Sequence, residues 1–393
     1  MNRAADVAPL DPRAYAVLGE AGLGPELFNP RQHRCCELVE RYARELGIDL
    51  CARLGLLDLL AEPRSVAALR DARGFVPSFD SALRWLLEHA RHAGMLVREH
   101  DSGGADAYRL TGPPPVAAPG PLRTAGLAAD PSYAPAYDLL DVAAELYPRV
   151  ARGEVQAERA LFMRVALWVS YFHNANGYYA LNNRVAAHAA ASRLIGGTVL
   201  EVGAGLGSAT EALLEELRAR DLLSAVQGYR VTEPVVFFRR RAQRTLDAAW
   251  PRVPLVFDAL DMNHPWTSQG IAPGSYALVW GVNVFHLARS LDGVLRAALD
   301  ALTPGGWLVV GEGVRPSPTE PVGAELPFQL LEGFHDVVLD PATRPTAGFL
   351  TADAWEEALR RAGFAEIELV PPLPRLQRYY PGLLSAAFCA RRA

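Results

Sequence analysis

Apolar and polar positions change their period along this chain, and the changes divide it into three blocks. Up to about Gly112 the spacing is helical: "CELVERYARELGIDLCARLGLLDLLAE" returns an apolar residue every three or four positions. Two further helices are predicted in "SVAALRDARGFV" and "SFDSALRWLLEHARHAGMLV", the second with Ser78 as its N-cap. "MLVREHDSGGADAYRLTG" then reads as two short strands around a Gly-rich turn. Three helices followed by a hairpin make a winged-helix-like order. "PPPVAAPGPLR", Pro113 to Arg123, reads as a linker. The second block, about Tyr133 to Leu194, is helical and ends in "VSYFHNANGYYALNNRVAA". In the third, strands near Val199, Tyr229, Pro254, Tyr276 and Trp307 alternate with helical or loop segments. That alternation predicts an α/β domain with a parallel sheet and helices on both faces. The expected boundaries are 1–125, 126–190 and 191–393.

Composition narrows the classes. With 393 residues, 50% of them hydrophobic, the chain can bury a large core and form more than one domain. Its net charge of −5 gives no global basic field for nucleic acid or an anionic membrane. The basic side chains are all arginine, which reads as a coding bias and not as a binding feature. Cys35, Cys36, Cys51 and Cys389 form no C-x-x-C and no metal spacing, as expected of a reduced cytoplasmic protein. "MNRAADVAPLDPRAYAVLGE" has acids and prolines where a signal peptide needs an apolar core. No uncharged stretch reaches the length of a membrane span. The wing raises a DNA-binding reading. Asp and Glu are mixed with Arg along every helix there, so dimerisation and substrate capping are expected instead.

The chemistry gathers at "GGTVLEVGAGLGSATEALLEEL", Gly196 to Leu217. Gly203, Gly205 and Gly207 follow a strand that ends in a carboxylate, Glu201. The dinucleotide pattern G-x-G-x-x-G is absent, and no basic residue awaits a pyrophosphate. A carboxylate before a glycine turn suits a cationic, phosphate-free ligand, and S-adenosylmethionine is one. Glu233 ends the next strand, "YRVTE", where an acid takes ribose hydroxyls. The third strand ends "VFDALDM", so Asp261 would accept from the adenine amino group while Met262 packs on its ring. Asn283, beyond the fourth strand, is counted with the cofactor-binding residues. Three acids at successive strand ends fall on the edge where open α/β sheets bind ligands.

"VLEVGAGLG" resembles motif I of class I S-adenosylmethionine-dependent methyltransferases, and "LTPGGWLVV" resembles their strand-five signature. The likeness runs from Ile195 to about Val370 and implies a Rossmann-like catalytic domain. The N-terminal block, with "ELGIDLCARLGLLDLLAE" and "AYRLTG", resembles the dimerisation domain of small-molecule O-methyltransferases and implies a homodimer. "QGIAPGSYALVWGVNVFHLARSLDGVLRAALDALTPGGWLVVGEG", "FQLLEGF" and "RPTAGFLTADAWEEALRRAGF" are similar to the C-methyltransferase domains of polyketide synthases. That resemblance implies His286 as base and Glu312 as its partner. O-methyltransferases place a base at the same point within His-Asp-Trp, whereas this chain has His286-Leu-Ala.

A weak nucleophile must lose its proton as it attacks, and a neutral imidazole oriented by a carboxylate suits that task. In "YFHNANGYYALNN", Phe172, Asn176, Tyr179 and Asn183 are predicted to share one helical face, lining a pocket or cross-linking helices. Phe328 and Phe334 are expected as apolar pocket walls. His335 follows them and, with His286, matches the places where some α-keto acid C-methyltransferases bind iron; no third ligand is evident, so no metal is expected. The function expected is C-methylation of a small polyketide-like or carbonyl-activated substrate, free or tethered to a carrier protein. The alternatives are O-methylation with the same histidine as base, iron-dependent α-keto acid C-methylation, another use of the bound sulfonium, and a non-catalytic ligand sensor with a DNA-binding wing.

Overall fold

The computed structural model describes residues 6–100 and 104–393. Its contacts form two compact units. One holds the described residues up to Pro9, His33–Tyr171 and Thr319–Asp336; the other holds Leu10–Gln32, Phe172–Pro318 and Val337–Ala393. The cuts fall on either side of Leu10–Gln32, after Tyr171 and on either side of Thr319–Asp336; none lies at residue 125 or 190.

In the first unit, strand β1 (Arg64–Ser65) precedes helices Val66–Arg73 and Asp80–His92. Strands β2 (Leu96–His100) and β3 (Asp106–Leu110) then form the expected antiparallel hairpin, and β1 pairs with β3. The Gly-rich turn of that hairpin lies partly outside the described residues. Two local expectations fail. Ser78 is not an N-cap, because Pro77–Phe79 forms a 3-10 turn that runs into the helix at Asp80. The linker is shorter than expected, because Pro119 opens a helix to Ala129. A proline there lacks only an N–H that would have had no helical partner. Thr319–Asp336 is tied into this unit by polar contacts. Trp85 Nε1 donates to Glu325 Oε2 at 3.0 Å, Tyr147 OH to the Leu326 carbonyl at 2.8 Å, and the Gly323 N–H to Glu40 Oε2 at 3.0 Å.

The second unit is built on seven strands: β4 (Gly197–Val202), β5 (Val226–Thr232), β6 (Leu255–Asp258), β7 (Tyr276–Val282), β8 (Leu302–Gly313), β9 (Glu366–Val370) and β10 (Ser385–Arg391). Their order is β6-β5-β4-β7-β8-β10-β9. The first five are parallel, and β10 runs antiparallel to both neighbours. The last two strands were not expected from the sequence pattern. Six of the seven residues of β10 are buried, so its sequence does not alternate. From β4 the chain builds outward through β5 and β6, then returns to place β7 on the other side. In open α/β sheets the strand C-terminal ends at such a reversal are where ligands bind. Among the described residues no helix is long and apolar enough to cross a membrane.

Candidate active site

Glu201 stands one residue before the C-terminus of β4 and is 1% exposed. Its Oε2 accepts from Thr210 Oγ1 at 2.7 Å and from Tyr229 OH at 2.6 Å, and Tyr229 OH accepts from Trp280 Nε1 at 2.9 Å. Its Oε1 is buried without a partner. Burial outweighs the hydrogen bonds and pushes the carboxyl up to about 7. The folded value lies above the ordinary one, so the folded protein holds this proton more tightly than the unfolded chain. The resulting stability is present below about pH 4.5 and is lost as pH rises through about 7. Glu201→Gln should therefore flatten the fall in stability between these pH values, a fall on the order of 3 kcal/mol. Denaturant melts across the range measure it, and an unchanged slope would refute the assignment.

The glycine turn that follows is shaped by two different demands. At Gly203 (φ +65°) a Cβ would stand 2.3 Å from Val284 Cγ2, so only glycine fits beside the β7 end. At Gly205 (φ +55°) a Cβ would meet nothing within 4 Å. The turn is thus packed on one side and open at Gly205. Gly207 is left-handed (φ +82°) at the N-cap of helix Ser208–Ala219. Glu233 holds the open part: Oε2 accepts the Gly205 N–H at 2.9 Å and Oε1 the Val235 N–H at 2.8 Å. Burial raises this carboxyl too. A carboxylate has about four acceptor sites, so two backbone bonds leave room for hydroxyl donors.

Asp261 lies just past β6, where its Oδ1 accepts the Asn263 N–H at 2.9 Å and Gln269 braces its backbone from both sides. The Met262 carbonyl accepts from Trp266 Nε1 at 3.2 Å. Asn283 has φ +52°, a strained region for any residue but glycine, and one that asparagine tolerates best. Its Oδ1 accepts from Asn182 Nδ2 at 3.0 Å and from the Gly313 N–H at 3.1 Å. Asn283 therefore ties the ends of β7 and β8 together.

His286 sits in a single 3-10 turn, Phe285–Leu287, just beyond β7. Glu312 is the penultimate residue of β8 and has no exposed surface. Its Oε1 accepts the backbone N–H groups of Val284 (3.1 Å) and His286 (3.2 Å). Its Oε2 meets His286 Nδ1 at 2.7 Å. A carboxylate only accepts, so Nδ1 carries the proton and Nε2 is the basic nitrogen of that tautomer. Phe349 packs on the ring, with centroids 4.7 Å apart. Sequence reasoning missed Arg344, whose guanidinium donates to the carbonyls of His286 and Ala288. No motif marks it.

The "YFHNANG" stretch departs from expectation. The helix begins at Gly177, with Asn176 as N-cap accepting from the Tyr178 N–H, so Phe172 and Asn176 precede it and share no helical face with Tyr179. Asparagine favours the cap because its side chain replaces the missing helical acceptor. Phe172 and Tyr179 still meet, with ring centroids 5.3 Å apart, and Phe172 also touches Phe238. Asn183 Nδ2 donates to Asn174 Oδ1 at 2.9 Å, and Asn174 donates to the Ser208 carbonyl at 2.8 Å. These amides cross-link the helix to the glycine turn's own helix. Phe328, Phe334 and His335 belong to the first unit. There the two phenylalanines stack at 5.9 Å and His335 Nε2 lies 3.0 Å from the Gln329 carbonyl. Burial holds the His335 imidazole below the ordinary histidine value.

Comparison with solved structures gives the architecture its name. The CurJ carbon methyltransferase superposes with a TM-score of 0.78 at 21% identity, covering 97% of this chain and 96% of that one. The DszA carbon methyltransferase gives 0.72 at 23% identity, over 98% and 97%. The fold is that of these carbon methyltransferases. The methyltransferase domain of the citrinin polyketide synthase follows at 0.69 and 16% identity, over 96% and 93%. Curated proteins match part of the chain as well. The highly reducing polyketide synthase valA of Aspergillus terreus is 30% identical over 240 residues, 59% of this chain and 9% of that protein. The fumosorinone synthetase of Cordyceps fumosorosea is 35% identical over 169 residues, 42% of this chain and 4% of that protein. The chain thus spans less than a tenth of either relative. No protein-family profile matches it.

Proposed function

We propose that this chain is an S-adenosylmethionine-dependent C-methyltransferase acting on a carbonyl-activated, polyketide-like carbon acid. The observation that carries the reading is the buried His286–Glu312 pair at 2.7 Å, at the β7 and β8 ends beside the glycine turn of β4. The cofactor fits the residues present. The orphaned Glu201 Oε1 and the open space at Gly205 suit a ligand with a cationic, hydrogen-donating end. Glu233, next along the edge, suits hydroxyl donors, and Asp261 with Met262 would take the adenine. Bound there, S-adenosylmethionine supplies an electrophilic methyl group.

This chain's part is proton handling and positioning. His286 Nε2 would take the proton of a carbon flanked by carbonyls, and the cofactor held at the glycine turn would supply the methyl group that this carbon gains. Glu312 fixes the tautomer and supports the imidazolium that forms. Relatives that are polyketide synthases support an acyl substrate tethered to a carrier. Incubation with S-adenosylmethionine and a β-ketoacyl thioester, followed by mass spectrometry, should show the gain of one methyl group. No gain across a panel of such thioesters would refute the reading.

Among the described residues no group of three or more His, Cys, Asp or Glu side chains is placed to hold a metal ion. Exhaustive chelation should leave turnover unchanged. Loss of activity restored by added iron would contradict the proposal.

A further inference from the structure

Arg344 is 1% exposed, and the chemistry above makes no use of it. It is presented by a locked turn. Asp340 Oδ1 accepts the N–H groups of Ala342 (2.9 Å) and Thr343 (3.0 Å), and the backbones of Asp340 and Arg344 exchange hydrogen bonds at 2.9 and 2.7 Å. These bonds and Arg361 hold the Asp340 carboxyl at about 2. From this turn the Arg344 guanidinium reaches the carbonyls of His286 and Ala288, bracketing the end of the turn that carries His286. Its Nε is buried without a partner. Burial pulls the guanidinium down to about 10, opposed by the charge of Glu312. Clamping two carbonyls needs only a neutral donor. A buried cation costs more, and its charge acts on its neighbours.

We propose that Arg344 sets the charge of the His286–Glu312 pair, offsetting the carboxylate so that the pair holds only the Nδ1 proton, with Nε2 free, until the substrate supplies a second. The inference rests on the reading of His286 as the base. Glu312 is wholly buried and its Oε2 lies 2.7 Å from His286 Nδ1, so its negative charge acts on the ring with little screening. Glu312 faces His286 from β8 and Arg344 from the loop after Val337. Arg315, on the continuation of β8, turns its guanidinium to the Thr346 hydroxyl (2.7 Å) and the Ala347 carbonyl (3.1 Å). Arg289, three residues on, is exposed. Phe349 is uncharged. Removing the Arg344 charge leaves Glu312 uncompensated, so the pair takes up its second proton at higher pH. The sign holds whichever of the two carries that proton.

The test is a pH–rate profile paired with NMR titration of the His286 Cε1 proton in full-length wild type, Arg344→Gln and Arg344→Lys. In Arg344→Gln both midpoints should move up by about 1 pH unit or more. Arg344→Lys, which keeps the charge, should stay near wild type. If Arg344→Gln does not fold, citrulline at position 344 keeps the shape and terminal N–H groups without the charge, and the same shift is expected. Unmoved midpoints in a folded neutral variant, with turnover merely lowered, would make Arg344 only a clamp and overturn the proposal. Failure of the base reading is separable. His286→Asn would then keep the wild-type limb, while the NMR midpoint would still report on Arg344.

Discussion

His286→Asn should lower turnover by roughly 10²–10⁴, the usual contribution of a general base, and leave cofactor affinity nearly unchanged. The His286 ring is 5% exposed and its Nδ1 is committed to Glu312, so the substitution removes the basic nitrogen without opening the glycine turn. The loss belongs to the chemical step, and kcat should fall with kcat/KM. Wild-type rate should rise with pH along a limb that the variant lacks. Glu312→Gln should cost less, because it removes charge support but leaves the imidazole. The structure adds a qualification: Glu312 Oε1 also holds the backbone of Val284 and His286, and glutamine keeps that acceptor only in one amide orientation. Single-turnover kinetics on a weakly acidic thioester check the prediction. Wild-type rate in His286→Asn would leave proximity to carry the reaction.

Gly205→Val should weaken S-adenosylmethionine binding by roughly 10²-fold or more while the protein stays folded. A Cβ at this position meets no protein atom within 4 Å, so a side chain there fills only the space opposite the turn. A ligand pushed from that space gives up hydrogen bonds to charged groups, each about 1.5–3 kcal/mol, and two of them exceed a hundredfold. The left-handed φ of +55° adds a strain of about 1–2 kcal/mol to the fold itself. Gly203→Val should behave differently. Its side chain collides with Val284 at the β7 end, so it should lower stability before affinity. Calorimetry beside thermal melts separates the two variants, and equal effects on both quantities would refute this division of roles.

Much of the site was legible because its chemistry is tied to strand ends. Apolar runs closed by Glu201, Glu233 and Glu312 announce both the strands and the edge they share: Glu201 and Glu312 are penultimate in β4 and β8, and Glu233 follows β5 directly. The misses have physical causes. β10, "SAAFCAR", lies between two other strands, so small apolar residues replace alternation and the pattern gives no period. In "YFHNANG" the polar residues serve as cap and cross-link, which broke a helix that spacing alone would continue. Thr319–Asp336 joins the first unit through Glu325, Leu326 and Gly323, contacts of long sequence separation that no local pattern encodes. Arg344 looks like any loop arginine until the fold buries it against the His286 turn.

The central claim is that carbon, not oxygen, receives the methyl group. Turnover of a β-ketoacyl thioester with S-adenosylmethionine carrying a ¹³C-labelled methyl, read by NMR of the product, tests it directly. The account predicts a labelled methyl coupled to the proton of the adjacent α-carbon. A labelled methoxy signal with no such coupling would contradict it.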